Sequence, residues 1–265
     1  MQELKHVARA NLAELLDLFS WGLEVFCRRD CRLILMGFRN YEAPEHATQL
    51  LYRLERRQWV RREGRGEEAR FSVTTEGAKQ RTILDPAAQW MTAWDGKWRL
   101  FTYDLPERRR TERVLLWRAL HARKLGLLQR SVWVWPHAVD GMLQHILRAT
   151  GIPECFCGFT SERLFLSTDA ELVASCWDFA KINQCHQDYV ESAPGFLESL
   201  KAARDLQQVA RVAAVEGQTY HEAFTLDPLL PQTLWPREYQ GPVVEQRHAR
   251  FRTEVCRRVQ ELAEK

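Results

Sequence analysis

The sequence of 265 residues lacks several features that would assign it quickly to a class of protein. No run approaches eighteen consecutive apolar residues, which argues against a membrane-spanning helix. The first residues, MQELKHVARANLAELL, carry scattered charges and have neither the apolar core nor the cleavage site of a signal peptide. The net charge is only +3, so nucleic-acid binding has to be argued from local patches.

The seven cysteines are odd in number and irregularly spaced, which is typical of reduced thiols in a cytoplasm. Cys155 and Cys157 could share one face of a strand, but no paired C-x-x-C motif gives the spacing of a structural zinc site. Neither a G-x-S-x-G motif nor a phosphate-binding glycine loop is present. We therefore expect free cysteines, no metal, no cofactor and no enzymatic activity.

The amino-terminal part predicts a winged helix-turn-helix over residues 1–79. Leucines and phenylalanines recur at helical spacing in residues 11–26, a second helix is expected over residues 30–36, and a third follows Pro44. Residues 59–63 and 69–74 are expected to be strands joined by a glycine-containing turn. Few small folds other than the winged helix consist of three helices followed by a hairpin.

The third helix and the hairpin carry the residues expected to contact DNA. In this interpretation the helix enters the major groove, polar side chains reach base edges and arginines contact phosphates. The candidate residues are His46, Thr48, Gln49, Tyr52, Arg53, Arg56, Arg57, Arg61, Arg62 and Arg65. The alternative is a solvated charged surface used for protein contacts, because Glu42 and Glu45 would repel phosphate.

Residues 80–93 are expected to form a connecting helix broken near Pro86, and residues 94–167 a ferredoxin-like domain. The expected order is a strand at 98–105, a helix at 107–125 ended by Gly126, one strand at 127–136, a helix at 140–150, and strands at 155–160 and 163–167. Such an order predicts a sheet with helices on one face. Residues 168–265 are expected to be α-helical, with one long helix ending near Pro194, so the fold class is α+β.

Asp104 ends the first strand of the central domain, and two interpretations of it stay open. A metal-dependent nuclease could use it as a ligand, but such a site needs several carboxylates, and only Asp95 and Glu107 are near in sequence. The alternative is that Asp104 caps the helix that begins near Glu107. The arginines of that helix are expected to form a solvated face.

Three segments resemble the PaaX family of bacterial repressors of phenylacetate catabolism. They are WDGKWRLFTYDLPERRR, CWDFAKINQCHQDYV and LDPLLPQTLWPREYQG, in the family's order and spread over most of the chain. The resemblance implies a homodimeric repressor that binds double-stranded operator DNA. It also implies a central domain similar to the small nuclease-like subunit of CRISPR adaptation complexes, a helical carboxy-terminal domain, and release from DNA by an acyl-CoA.

Two groups of residues depart from the family pattern. Thr48 stands where the family usually has an arginine. The family also has a histidine, a tyrosine and paired arginines shortly before the DP motif, where this chain has Gln218, Tyr220, His221 and Glu222. If the arginines hold an anionic effector, their replacement removes most of that positive charge. Tyr220, His221 and Trp177 are nevertheless the candidate residues for binding a small acidic or acyl-CoA-type effector.

The sequence therefore predicts a cytoplasmic DNA-binding transcriptional regulator with no membrane partner. Two alternatives stay open: a metal-dependent nuclease that uses Asp104, and a winged-helix module that binds another protein.

Overall fold

A computed structural model describes residues 52, 54–63, 70–77, 86–150, 156–162 and 164–263 of the chain. The chain divides by its internal contacts into two units. The first unit contains Met1–Ala88, Cys185–Phe224 and Gln240–Lys265, and the second contains Gln89–Gln184 and Thr225–Tyr239. Each unit therefore combines segments that are distant in sequence. The domain boundaries expected at residues 79, 93 and 167 stay predictions.

The first unit contains the expected hairpin. Strand β1 (Val60–Glu63) pairs antiparallel with β2 (Arg70–Val73), so that Val60 lies opposite Val73. Gln58, with a φ of 59°, makes the turn between the helical residues 54–56 and β1. The three helices predicted before residue 52 lie outside the described residues, so the winged helix-turn-helix as a whole stays a prediction.

The second unit contains a four-stranded antiparallel sheet and its connecting helices. After the short helix α1 (Pro86–Trp90), the elements are β3 (Trp98–Tyr103), α2 (Arg110–His121), β4 (Gly126–Gln129), β5 (Val132–Trp135), α3 (Asp140–Thr150) and β6 (Phe156–Ser161). The strand order is β4-β5-β3-β6, and every neighbouring pair is antiparallel. A β-α-β-β-α-β chain in this order has the ferredoxin-like topology expected of the central domain.

Two predicted strands of this sheet were wrong. Residues 127–136 are not one strand: they fall in β4 and β5, two paired antiparallel strands, because the chain turns at Arg130 and Ser131. Residues 164–167 are not a strand: Leu166 has a φ of 60°, which an extended chain does not adopt. Phe165 and Leu166 are also exposed there, so no buried face stabilises a strand.

The predicted helix stop at Gly126 was also wrong. Helix α2 ends at His121, and the left-handed residue after it is Lys124, with a φ of 60°. Gly126 instead begins β4, where a Cβ atom would lie 2.7 Å from the Trp177 ring and 2.8 Å from Cβ of Cys176. This glycine is therefore required for close packing and not for a turn.

Both faces of the sheet are covered, whereas the sequence predicted helices on one face only. Phe101, Tyr103 and Trp133 pack on one face with residues of α2 and α3. Trp98 and Val134 pack on the other face with helix α4 (Asp169–Cys176), Ile182 of helix α5 (Phe179–Ala202), and the segment 225–239. Residues predicted to belong to a separate helical domain thus complete the core of the second unit.

Long helices form the rest of the first unit. Helix α5 continues through Pro194 to Ala202, so the predicted end near Pro194 was wrong; the helical pattern is interrupted earlier, at Trp177 and Asp178. Helix α6 (Leu206–Ala223) packs against α7 (Gly241–Ala263). Within the described ranges, no helix combines the length and the apolar character needed to cross a bilayer.

Candidate functional site

Exposed arginines surround the hairpin of the first unit. Arg61 and Arg62 lie on β1, and Arg56 and Arg57 lie just before it; all four side chains are exposed. The guanidinium of Arg57 lies 5.1 Å from the centre of the Trp59 ring, a cation–π contact that orients it. Tyr52 is 63% exposed. The described part of the candidate DNA-binding surface is therefore open and basic.

The remaining DNA-binding candidates lie outside the described residues. They are His46, Thr48, Gln49, Arg53 and Arg65. Their roles at base edges and phosphates stay predictions.

Arginines at the start of α2 and in the turn before it form ion pairs with nearby glutamates. Arg109 Nε donates to Glu112 Oε2 at 2.7 Å, and Arg113 pairs with Glu107 at 2.7 Å. The Arg113 guanidinium holds the pKa of Glu107 below its usual range. Local acids therefore offset part of the positive charge of this helix, as expected for a solvated face.

Asp104 does not cap the helix that follows it, so that prediction was wrong. A 3-10 turn at Glu107–Arg109 precedes α2, its N-cap position is Pro106, and no side chain accepts a hydrogen bond there. Pro106 occupies the N-cap position with an extended backbone, and its side chain has no atom that can accept a hydrogen bond. In the described part of the chain, no group of three or more His, Cys, Asp or Glu could hold a metal ion.

Tyr220, an effector candidate, belongs to a buried polar cluster of the first unit. Its hydroxyl donates to Glu245 Oε2 at 2.6 Å. Its ring stacks on His248, with 3.7 Å between centroids and 15° between planes. The half-buried His221 follows it, with its ring centre 5.7 Å from that of Tyr220. The aromatic ring and the hydroxyl of Tyr220 are thus both engaged within the protein.

Glu216 lies at the centre of this cluster and was missed by sequence reasoning. It is fully buried, and its Oε1 accepts from the hydroxyl of Tyr189 and lies 2.8 Å from Nδ1 of His248. Burial and the Glu216 carboxylate raise the pKa of Tyr189. A signal was present: Glu216 falls on the same helical face as the apolar Val209 and Ala213.

The departures from the family pattern also lie on α6. Gln218 Nε2 donates to Glu222 Oε1 at 2.9 Å, one turn along the exposed side of the helix. An anionic effector at this point would meet the Glu222 carboxylate instead of a guanidinium. The structure therefore gives this surface no evident attraction for phosphate.

Trp177, the third effector candidate, lies in the second unit, whereas Tyr220 and His221 lie in the first. Its indole Nε1 donates to the carbonyl oxygen of Lys124 at 2.9 Å, and its side chain is 8% exposed. Trp177 thus joins the α4–α5 junction to the end of α2. Its predicted role in effector binding stays a prediction.

The segment LDPLLPQTLWPREYQG has a structural role in the second unit. Asp227 is fully buried and accepts from the backbone N–H of Leu229 at 2.7 Å and from the Tyr239 hydroxyl at 2.6 Å. Trp235 Nε1 donates to the carbonyl oxygen of Leu230 at 2.9 Å. Trp90 meets the rings of Trp235 and Tyr239 edge to face. We call residues 225–239 the clasp.

Comparison with known proteins gives three findings. The PaaX protein central Cas2-like domain matches residues 91–173. The transcriptional repressor PaaX of Escherichia coli (strain K12) is 23% identical over 207 residues, which are 74% of this chain and 64% of that protein. An uncharacterised protein of Mycobacterium tuberculosis, Rv0674, is 18% identical with a TM-score of 0.49, over 87% of this chain and 90% of that one.

The chain spans about two thirds, 64%, of the length of the curated relative that it matches. The matched central domain coincides with the ferredoxin-like sheet and continues into α4. The similarity to the transcriptional repressor PaaX covers 207 residues and therefore extends well beyond that domain. On these matches, residues 91–173 are similar to the central domain of PaaX proteins, and most of the chain is similar to a transcriptional repressor of that family.

Proposed function

We propose that this protein is a cytoplasmic, homodimeric transcriptional regulator that represses its target genes by binding double-stranded operator DNA. A small acidic or acyl-CoA-type effector would relieve the repression. The similarity to the PaaX repressor supports a regulator rather than an enzyme. The observation that carries DNA binding is the hairpin, on which Arg61 and Arg62 are exposed beside the exposed Arg56 and Arg57.

Phosphate contacts of these four arginines would make the binding depend strongly on salt. Each neutralised phosphate releases condensed counterions, and log K falls against log salt with a slope of about −0.9 per contact. Two arginines changed to alanine should therefore flatten the slope by about 2 on duplex DNA and weaken binding to all sequences alike. Base preference would reside in the third helix, where Gln49 is the candidate for a bidentate contact with adenine.

The test is a fluorescence-anisotropy titration of labelled duplexes from the region upstream of the gene, at several salt concentrations. The double variant Arg61→Ala/Arg62→Ala is compared with Arg108→Ala/Arg110→Ala, which removes the same charge from exposed positions near the start of α2. We expect weak binding and a flattened slope only for the first. Gln49→Ala should leave the slope unchanged and reduce the preference for the cognate duplex.

Three results would contradict the proposal. Equal losses in the two double variants would mean that only the total charge matters. Absence of sequence preference at moderate salt would favour the protein-binding alternative. Nicking of DNA that needs Mg²⁺ and vanishes in Asp104→Asn would favour the nuclease.

A further inference from the structure

The helical residues before β1 end in a compact backbone turn, residues 54–59, which we call the helix–hairpin turn. The N–H of Gln58 donates to the carbonyl oxygen of Glu55 at 2.8 Å, and the N–H of Trp59 donates to that of Leu54 at 3.0 Å. Gln58 has a φ of 59°, which lies in the left-handed region. The two hydrogen bonds and the left-handed residue together make a Schellman motif, the arrangement that ends many helices.

The left-handed position of this motif is occupied by a glutamine, Gln58. A Cβ atom makes the left-handed conformation unfavourable, so glycine is the usual residue at this position. A residue other than glycine keeps the conformation where surrounding contacts fix the backbone, and such residues cluster at functional sites. The contacts that fix Gln58 are therefore candidates for a functional role.

Thr74, the first residue after β2, supplies those contacts. Its hydroxyl donates to the carbonyl oxygen of Gln58, and its backbone N–H donates to the carbonyl oxygen of Trp59 at 3.0 Å. The oxygen of the same hydroxyl accepts the N–H of Gly77 at 3.1 Å. One threonine thus joins the helix–hairpin turn to the end of β2 and to the residues that follow it.

The side chains of the turn divide between the core and the solvent. Leu54 is fully buried, and Val60, the first residue of β1, is 1% exposed. Arg57 is exposed, and its guanidinium lies 5.1 Å from the centre of the half-buried Trp59 ring. Hydrogen bonds hold both the N–H and the carbonyl oxygen of Trp59, so this ring extends from a fixed backbone. The Arg57 side chain is therefore ordered against a supported aromatic surface.

An ordered arginine binds a phosphate at a lower entropic cost than a freely moving one. An exposed arginine side chain occupies many rotamers, and binding has to immobilise it. A cation–π contact at an exposed site corresponds to about a two- to fivefold change in an equilibrium constant. A guanidinium that stacks on an aromatic face keeps the N–H donors in its own plane available for phosphate oxygens.

We propose that Trp59 and Thr74 are positioning residues for DNA binding. Trp59 orders the Arg57 guanidinium for contact with a phosphate, and Thr74 fixes the turn that carries both residues. The inference rests on the proposed function, because it takes duplex DNA as the partner of Arg57. It assigns to two uncharged residues a part of the affinity that charge alone would not explain.

The test of Trp59 is a double-mutant cycle on the full chain, with the same duplexes and salt series as above. Trp59→Leu should weaken binding about two- to fivefold and leave the salt slope unchanged, because the number of phosphate contacts stays the same. Arg57→Ala should weaken binding and flatten the slope by about 0.9. In the Arg57→Ala background, Trp59→Leu should have no further effect, because the group that Trp59 orders is gone.

Trp59→Phe is the matched control for the leucine variant. Phenylalanine and leucine are both apolar and smaller than tryptophan, but only phenylalanine keeps an aromatic face for Arg57. We expect Trp59→Phe to recover most of the affinity that Trp59→Leu loses. The Tm of each variant is measured without DNA, and a difference in Tm alone would not move the salt slope or the coupling to Arg57.

The test of Thr74 uses Thr74→Val, which removes the hydroxyl that donates to Gln58 and keeps the backbone N–H that donates to Trp59. Thr75→Val is the control, because it removes the same group from the neighbouring exposed position. We expect weaker DNA binding only for Thr74→Val, and recovery in Thr74→Ser, which restores the hydroxyl donor.

The inference is overturned by any of three results: Trp59→Leu and Trp59→Phe bind DNA alike, Trp59→Leu loses as much affinity in the Arg57→Ala background as in the native one, or Thr74→Val and Thr75→Val behave alike. If Arg61→Ala/Arg62→Ala still flattens the slope, such a result removes the positioning roles and retains the proposed function. A native chain without sequence preference at moderate salt would remove the proposed function, and this inference with it.

Discussion

Two buried carboxylates, one in each unit, differ in how completely they are hydrogen-bonded. Asp227 in the second unit has both oxygens engaged, one by the Leu229 N–H and the other by the Tyr239 hydroxyl. Glu216 in the first unit has Oε1 next to both Tyr189 and His248, and within the described structure its Oε2 has no hydrogen-bond partner. Both side chains are 0% exposed.

The comparison distinguishes a buried carboxylate that stabilises the fold, Asp227, from one whose desolvation is only partly compensated by hydrogen bonds, Glu216. A buried carboxylate stabilises the fold when its acceptor capacity is used, and an unused oxygen carries a desolvation cost. Asp227 fixes the clasp against the sheet core. Glu216 retains an unsatisfied oxygen, so replacing it should cost much less than its burial suggests.

The largest effect is expected for Asp227→Ala. It removes the carboxylate that accepts from the N–H of Leu229 and from the hydroxyl of Tyr239, and it loosens the clasp. The loss of these two hydrogen bonds to a buried acid should lower the free energy of unfolding by about 3–4 kcal/mol, measured by urea denaturation. Asp227→Asn retains one acceptor oxygen and should recover part of that loss. Equal losses in the two variants would mean that charge, not hydrogen bonding, is responsible.

A smaller effect is expected for Tyr239→Phe. It removes the hydroxyl that donates to Oδ2 of Asp227, while the ring contacts with Trp90 and Trp235 are retained. A hydrogen bond to a charged group contributes about 1.5–3 kcal/mol, so we expect a loss near 2 kcal/mol. A loss below that of Tyr189→Phe would contradict the contrast between the two acids.

Tyr189→Phe should cost about 1 kcal/mol, because His248 still lies beside Glu216 Oε1. The variant should also change the response to alkali. The pKa of Tyr189 is raised in the fold, so its contribution to stability is complete below the ordinary tyrosine pKa of about 10 and is lost as the pH rises above it. One such group gives a slope that approaches about −1.4 kcal/mol per pH unit as the pH rises above the ordinary tyrosine pKa, and Tyr189→Phe should remove that contribution from denaturation curves measured above pH 10.

The smallest effect is expected for Glu216→Gln. The amide oxygen can still accept from Tyr189, and the substitution removes a charge from the core. The change in the free energy of unfolding should therefore stay within about 1 kcal/mol. A loss as large as that of Asp227→Ala, in the same urea experiment, would show that the Glu216 charge is itself stabilising.

Much of the β structure could be predicted from the sequence. Alternating residues predicted β3, and two extended segments joined by a glycine-containing turn predicted β1 and β2. The turn between β4 and β5 was missed because Arg130 and Ser131 are not the residues that usually mark a tight turn. The helix stop was misplaced for a related reason: Lys124 adopts the left-handed conformation that glycine normally supplies. Local rules fail where tertiary packing, here Trp177 against Gly126, decides the residue.

The candidate sites were harder to predict. The arginines of the hairpin could be identified as a candidate surface because many of them lie close together in the sequence. The buried cluster around Glu216 could not, because it depends on contacts between α5, α6 and α7. The interruption at Trp177 left a usable signal in Asp178, whose side chain accepts the Lys181 N–H at the start of α5. The covering of the second face of the sheet could not be predicted, because the clasp reaches it from a segment much further along the chain than α4.

The clasp has a practical consequence for anyone who isolates the central domain. A fragment limited to residues 91–173 would lose Trp177, Ile182, Leu230 and Leu234, and would bare the apolar side chains of Trp98 and Val134. Such a fragment should aggregate or bind other proteins non-specifically. Any association measured with it would then result from the truncation and not from the intact protein. A fragment that keeps this core has to contain both Gln89–Gln184 and Thr225–Tyr239, joined by a linker that replaces residues 185–224.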